Sequence, residues 1–135
     1  MSFADERKAI ETRFAANFTA LPVQYENQRF AMPATGGWAR LTIRNAGAGQ
    51  ISTGSSPLHR YAGVILADVF MPEETGSQAA RAHADTIEAI FRRAQFSAGS
   101  SGTILCRTPS ITTVGVADGW FQVQVSVPFQ RDRIF

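Results

Sequence analysis

Over residues 121–129 every second side chain is apolar: Phe121, Val123, Val125, Val127 and Phe129 lie to one side of Gln122, Gln124 and Ser126. Successive side chains of a β-strand point to opposite faces, so this segment predicts a strand with one buried and one wet face. Residues 38–45 alternate in the same way, with Ala39, Leu41 and Ile43 against Trp38, Arg40, Thr42 and Arg44. Residues 59–71 are apolar on both faces for most of their length, the pattern of a central strand. Two segments carry the helical period instead. Ile10, Phe14, Phe18 and Leu21 recur at steps of four and three, predicting a helix over residues 3–20, with Ser2 and Asp5 as a capping pattern and Pro22 as its stop. A second stripe runs through Ala80, His83, Ala84, Ile87, Ile90, Phe91 and Ala94.

The junction before that second helix is compact. Pro72 lacks the N–H a ladder needs and ends the strand, Glu73 and Glu74 fall near the positive helix end, and Thr75 with Gln78 has the capping-box spacing. Shorter signals complete the chain: a strand over residues 23–26, a turn-rich link over 30–37, and residues 103–108 and 111–116 as one strand broken near Pro109 or two short ones. Asp118-Gly119 is a hairpin turn signal. Residues 45–57 are small and polar, with no apolar period beyond Ile51, and predict a long mobile loop. The order predicts one α+β domain over residues 1–135. Its sheet is antiparallel or mixed, of four to five strands, with both helices on one face, because the other faces carry Arg40, Thr42, Arg44, Gln122, Gln124 and Ser126.

With 135 residues, 44% of them apolar, the chain can bury a single core without staples. Cys106 is the only cysteine, set in the apolar run TILC, and reads as a small buried hydrophobe. No apolar stretch approaches the roughly 20 residues of a membrane span, and the start MSFADERKAIE has no leader pattern, so the expected site of synthesis and use is cytoplasm. The net charge is only +2 and the basic residues are scattered, a weak pattern for nucleic acid. Twelve of the 13 basic residues are arginine, the cation that protein interfaces enrich, although a GC-rich genome gives the same bias.

No catalytic or metal-binding set emerges, and no cofactor is called for. His59 and His83 are the only histidines and belong to different elements; His83 lies on an apolar stripe, where a satisfied core histidine is the ordinary case. Asp85 and Glu88 lie on the wet face of their helix, with Glu88 spaced to pair with Arg92. The run AGAGQ has no following Lys-Ser or Lys-Thr and opens no helix, so it is no phosphate loop, and Ser55 and Ser56 lack a nucleophile-elbow pattern. Trp38 and Trp120 each begin a strand, as a rim of the core or as partly exposed interface anchors.

The order of features is informative beyond its parts. YEN (Tyr25 to Asn27), DVFMPEETG (Asp68 to Gly76) and GWFQVQVSVPF (Gly119 to Phe129), set in this succession of elements, resemble the tail terminator proteins of long-tailed phages, including the lambda-like type. The resemblance runs from about Ala9 to Phe129 and rests on structural patterns, none of them catalytic. It implies a non-enzymatic virion protein of phage or prophage that forms a hexameric ring on the head-proximal end of the tail tube, stops tube growth and prepares head joining. The implied partners are further copies of itself, the tail tube protein and the head–tail neck proteins, with no membrane and no specific nucleic acid, and assembly takes place in the bacterial host cytoplasm. Another neck, head-closure or tail-tube component is the second reading, and a small-molecule-binding domain the third. For a ring protein the candidate interface residues are Arg40 and Arg44 on the polar strand face, Trp38, and the tail residues Arg131, Arg133 and Phe135, for which solvated arginines and a frayed terminus are the plain alternative.

Overall fold

The computed structural model describes residues 2–31, 33, 36–72 and 76–134. Helix α1 spans Ser2–Asn17, strand β1 Val23–Gln24, β2 Trp38–Gln50 and β3 Leu58–Pro72. Helix α2 spans Gln78–Phe91, followed by β4 (Gln95–Ser97), a 3₁₀ turn at Gly99–Ser101, β5 (Thr103–Cys106), β6 (Ser110–Ala117) and β7 (Trp120–Ile134). The α+β class and its two helices match the sequence pattern, but the sheet is mixed and has seven strands, more than the four to five expected. Its order is β1-β2-β3-β7-β5-β4, with β6 also on β7; β1 and β2 run parallel, and every other pairing is antiparallel. The unexpected β4 is three residues between a helix and a glycine-rich turn, too short to show a period.

The central strands are β3 and β7, paired without a register break from Leu58↔Ile134 to Pro72↔Trp120. Alternation then sorts the side chains. Ala39 and Leu41, Ile65, Ala67 and Val69, and Val123, Val125 and Val127 share the inner face. Both helices cover this face: Ile10, Phe14 and Phe18 of the first and Ala80, Ala84, Ile87, Ile90 and Phe91 of the second join the same buried cluster. The Phe14 and Phe91 rings stack at 6.1 Å where the helices meet. The common face expected for the two helices is thus what the core requires, since it is the only one with a continuous apolar surface.

Three local expectations are corrected. Residues 45–57 are not one loop: β2 continues through Gln50, paired up to Gln50↔His59 across a bulge between Asn45 and Gly47, so only residues 51–57 lie outside strands. Main-chain bonding to β3 needs no apolar period, which is why composition misread this arm. The connection is itself tied, with Leu58 N–H donating to Ser52 Oγ and Ile51 N–H to the Leu58 carbonyl. Ser2 is the first helical residue and not a cap, and Asp5 accepts from the Ser101 hydroxyl. Helix α2 begins at Gln78 with Ser77 in the N-cap position and no side-chain cap, so Gln78 opens the helix and is not the fourth residue of a capping box; Thr75, expected to form that box with it, and Glu73 and Glu74, expected near the positive helix end, lie outside the described residues. The Asp118-Gly119 turn is as expected, both residues having positive φ, 54° and 82°, as a two-residue hairpin loop with right-handed twist demands.

Gly63 sits where β2 and β3 cross beneath Phe129, and a Cβ there would lie 2.6 Å from the Phe129 ring and 2.8 Å from the Arg44 carbonyl. Gly63→Ala is expected to destabilise the fold by about 1–3 kcal/mol through overpacking, read as a lower denaturation midpoint. An unchanged midpoint would contradict this packing.

Candidate functional site

The largest fully buried side chain is a charge. Arg131 is 0% exposed, and the alternation of β7 explains its place: it continues the inner series Val123, Val125, Val127, Phe129. Its Nε donates to Glu6 Oε1 at 3.2 Å and Nη1 to the Ser101 carbonyl at 2.8 Å. The guanidinium lies 4.4 Å from the Tyr61 ring centroid and 5.6 Å from that of Phe3. Glu6 is equally buried and accepts from Asn45 Nδ2 through its other oxygen, at 2.9 Å. One ion pair thereby joins the first turn of α1, the 3₁₀ turn, the arm of β2 and β3, and the end of β7. This corrects the reading of Arg131 as a partner-binding tail residue. The end of the chain is not frayed either, because β7 stays paired to β3 through Ile134; Arg133 is half-buried and engaged, and Phe135 lies outside the described residues.

A second polar centre occupies the outer face. Asp68 is 2% exposed in the middle of β3 and accepts from Gln122 Nε2 and Gln124 Nε2 at 2.8 and 3.0 Å and from Arg40 at 3.2–3.3 Å. Burying a carboxylate is tolerable when it is paired and hydrogen-bonded, as here. Arg40 also lies over the Phe70 ring at 5.1 Å, so its first duty is to Asp68 and Phe70, although its side chain remains 42% exposed. Trp38 is buried, stacked 4.1 Å from Phe70 and edge-on to Trp120 at 6.2 Å; it is a rim of the core, and the exposed anchor it was candidate for is not there. Of the five candidate interface residues that are described, Arg44 alone is exposed as a whole residue, and Trp38 and Arg131 are buried in different polar and aromatic surroundings.

The stretches quoted for the family resemblance have structural work. Glu26 of YEN accepts the Ile43 N–H at 2.8 Å, extending β2's bonding beyond the end of β1. DVFMPEETG supplies Asp68 and Phe70, and the closing stretch supplies the two glutamines that hold Asp68. His83 is half-buried with its ring edge-on to Phe18, and Glu88 pairs with Arg92 at 3.1 Å as its spacing implied. Cys106 is buried; burial pushes its thiol up to about 11, partly offset by the Arg13 charge. Among the described residues no group of three or more His, Cys, Asp and Glu side chains could hold a metal, and no helix is long and apolar enough to cross a membrane. A cleft of about 530 Å³ between α1 and the turn after β4 is open and lined by mixed residues including Lys8, Arg13 and Phe96.

On the surface lie strand β6, whose outer edge pairs with nothing further among the described residues, and the exposed end of β2. A family model described as phage tail terminator protein matches residues 7–129. The chain belongs to the phage tail terminator family. A solved structure superposes on this chain with a TM-score of 0.77 at 28% identity, covering 97% of this chain and 96% of the other. No curated protein sequence matches it. Family membership makes the protein a structural component of the phage tail and thus of the virion.

Two outcomes follow from the buried groups. Glu6→Ala, which strands Arg131 without its counter-charge, is expected to cost about 3–5 kcal/mol in chemical denaturation, whereas Glu6→Leu combined with Arg131→Met should cost far less. Equal losses would contradict the ion pair's place in the core. The raised Cys106 thiol contributes stability that is fully present below its ordinary pKa of 9.0 and is lost as pH rises through about 11. Native protein should therefore resist thiol reagents at pH 8 as long as it stays folded, and fast native labelling would contradict the burial.

Proposed function

We propose that the protein ends tail growth by assembling as a ring, hexameric by family resemblance, on the head-proximal end of the tail tube, where it also offers the surface that the neck proteins join. The observation that carries this reading is the family match over residues 7–129. Capping needs no catalysis. A heterologous contact repeated around a closed rotation gives a ring, and a ring whose outer surface tube subunits cannot extend from stops polymerisation. Assembly takes place in the host cytoplasm, where tube and head are joined.

The polar cluster around Asp68 changes how the interface must be probed. Reversing Arg40 would set a carboxylate against buried Asp68, so loss of activity there would report on folding. Arg44 is exposed and free of that objection. Arg44→Glu is expected to leave thermal stability within about 0.5 kcal/mol of the parent and to reduce capping of purified tubes. Depleting the protein during phage production should give tails of uncontrolled length that fail to join heads, counted by electron microscopy. Tails of normal length without it would instead favour a different neck or tube component.

A further inference from the structure

The sheet is covered unevenly along its two sides. Beside β2, strand β1 protects only Ala39 and Arg40, and Glu26 takes the N–H of Ile43; beyond that point, residues 45–50 pair with no strand on the side away from β3 among the described residues. Beside β7, β5, with β4 outside it, covers the half that ends at Asp132, while β6 covers the other half and itself pairs with nothing further among the described residues. Apart from the outer edges of the two- and three-residue strands β1 and β4, the uncovered edges among the described residues therefore lie at diagonally opposite corners of one sheet.

Both edges lack the charges and prolines that commonly keep strands apart, and a single bulge is what each retains. Exposed edges are commonly blunted by charged residues or proline, yet neither β6 (SITTVGVA) nor residues 45–50 (NAGAGQ) contains a charge or a proline. Each has one bulge, between Thr113 and Gly115 and between Asn45 and Gly47. Seven large apolar residues are exposed, and five of them gather at these two corners: Ile111, Val114 and Val116, from 36% to 57% exposed, along β6, and Ile51 and Ile134, at 46% and 66%, at the tip of the arm. The arm's β2 strand is exposed at every residue from Arg44 to Gln50, and Gly47 and Gly49 have open space where a Cβ would stand. In this stretch β2 is the outermost strand, with β3 and then β7 on its inner side, and its outer main-chain groups are the ones a further strand could pair with.

We propose that these corners are the two halves of one contact: the free edge of β6 in one copy pairs with residues 45–50 of β2 in the next, making the sheets of neighbouring copies continuous. The occupant is a second copy because both edges belong to this chain, are of similar length, six and eight residues, and are the ones its own fold leaves bare. Strands β2 and β7 point one way and β3 and β6 the other. The strand directions therefore let β6 of one copy lie antiparallel to β2 of the next, with the rotation axis inclined to the strands so that the diagonal offset between the two corners is taken up. Two different patches meeting head to tail give a ring when the rotation closes. This contact rests on the ring reading above and names the surfaces that would build it.

The test uses cysteine variants bound to the phage's own tail tubes. Ala48→Cys and Val114→Cys are made in separate chains and together in one, with native Cys106 protected by burial. Oxidation should join the first variant to the second when they are mixed, give a ladder with the double variant, and give no dimer with either alone. Val114→Lys combined with Val116→Lys, both more than half exposed, should keep the parent's melting temperature and lose the ring. Capped tubes without the mixed cross-link, or with rings intact in the lysine variant, would overturn the edge pairing while leaving capping in place. Tubes left uncapped by the unmodified protein would overturn the capping reading and this contact with it.

Discussion

The unbroken pairing of β3 with β7, from Leu58↔Ile134 to Pro72↔Trp120, is the constraint on which the rest of the structure depends. It fixes one register for both faces of the molecule. On the inner face it aligns Ile65, Ala67 and Val69 with Val127, Val125 and Val123, and so makes the apolar floor on which both helices rest. On the outer face the same register brings Gln122 and Gln124 within hydrogen-bond reach of Asp68. A slip of one residue would send every one of these side chains to the wrong side. Two buried polar centres thus accompany the apolar pattern in this register, in which Asp68 meets Gln122 and Gln124 and Arg131 meets Glu6 and the Ser101 carbonyl through Nε and Nη1, its Nη2 remaining without a partner.

The two centres differ in what they join. Asp68 ties three neighbouring strands within the sheet, through Arg40, Gln122 and Gln124, and keeps the outer face ordered without a helix over it. Arg131 ties layers: it holds the start of α1 and the 3₁₀ turn against the root of the β2–β3 arm. Buried ion pairs add little net stability compared with apolar replacements, but they are costly to break. Here the pair sits where the arm leaves the body, so it sets the direction of the very segment whose edge is bare.

Most of the fold was legible in the sequence, and the misses have separate causes. Alternation placed the inner faces of β2 and β7 and the period of four placed both helix stripes, since each depends on side chains. Arg131 was missed because the alternation was followed only to Phe129, although the next inner position is Arg131 itself. Its partner was equally visible: Glu6 precedes Ile10, Phe14 and Phe18 at the same step of four. Opposite charges on the extensions of two apolar stripes are the signal of a buried pair. The arm at residues 45–50 was illegible for another reason, because main-chain pairing leaves no trace in a run of alanine and glycine. Of the candidate interface, the sequence could rank arginines by type, but it could not see that Asp68 had already engaged Arg40 or that Phe70 and Trp120 had enclosed Trp38.

We propose that this member of the phage tail terminator family acts at one end of a tube and nowhere along it. Cryo-electron microscopy of tail tubes assembled with the protein tests that claim most directly. A closed ring of copies, each with the fold described above, on a single end of each tube is the predicted result. Copies distributed along the tube wall, or ends that remain bare and continue to lengthen, would contradict it.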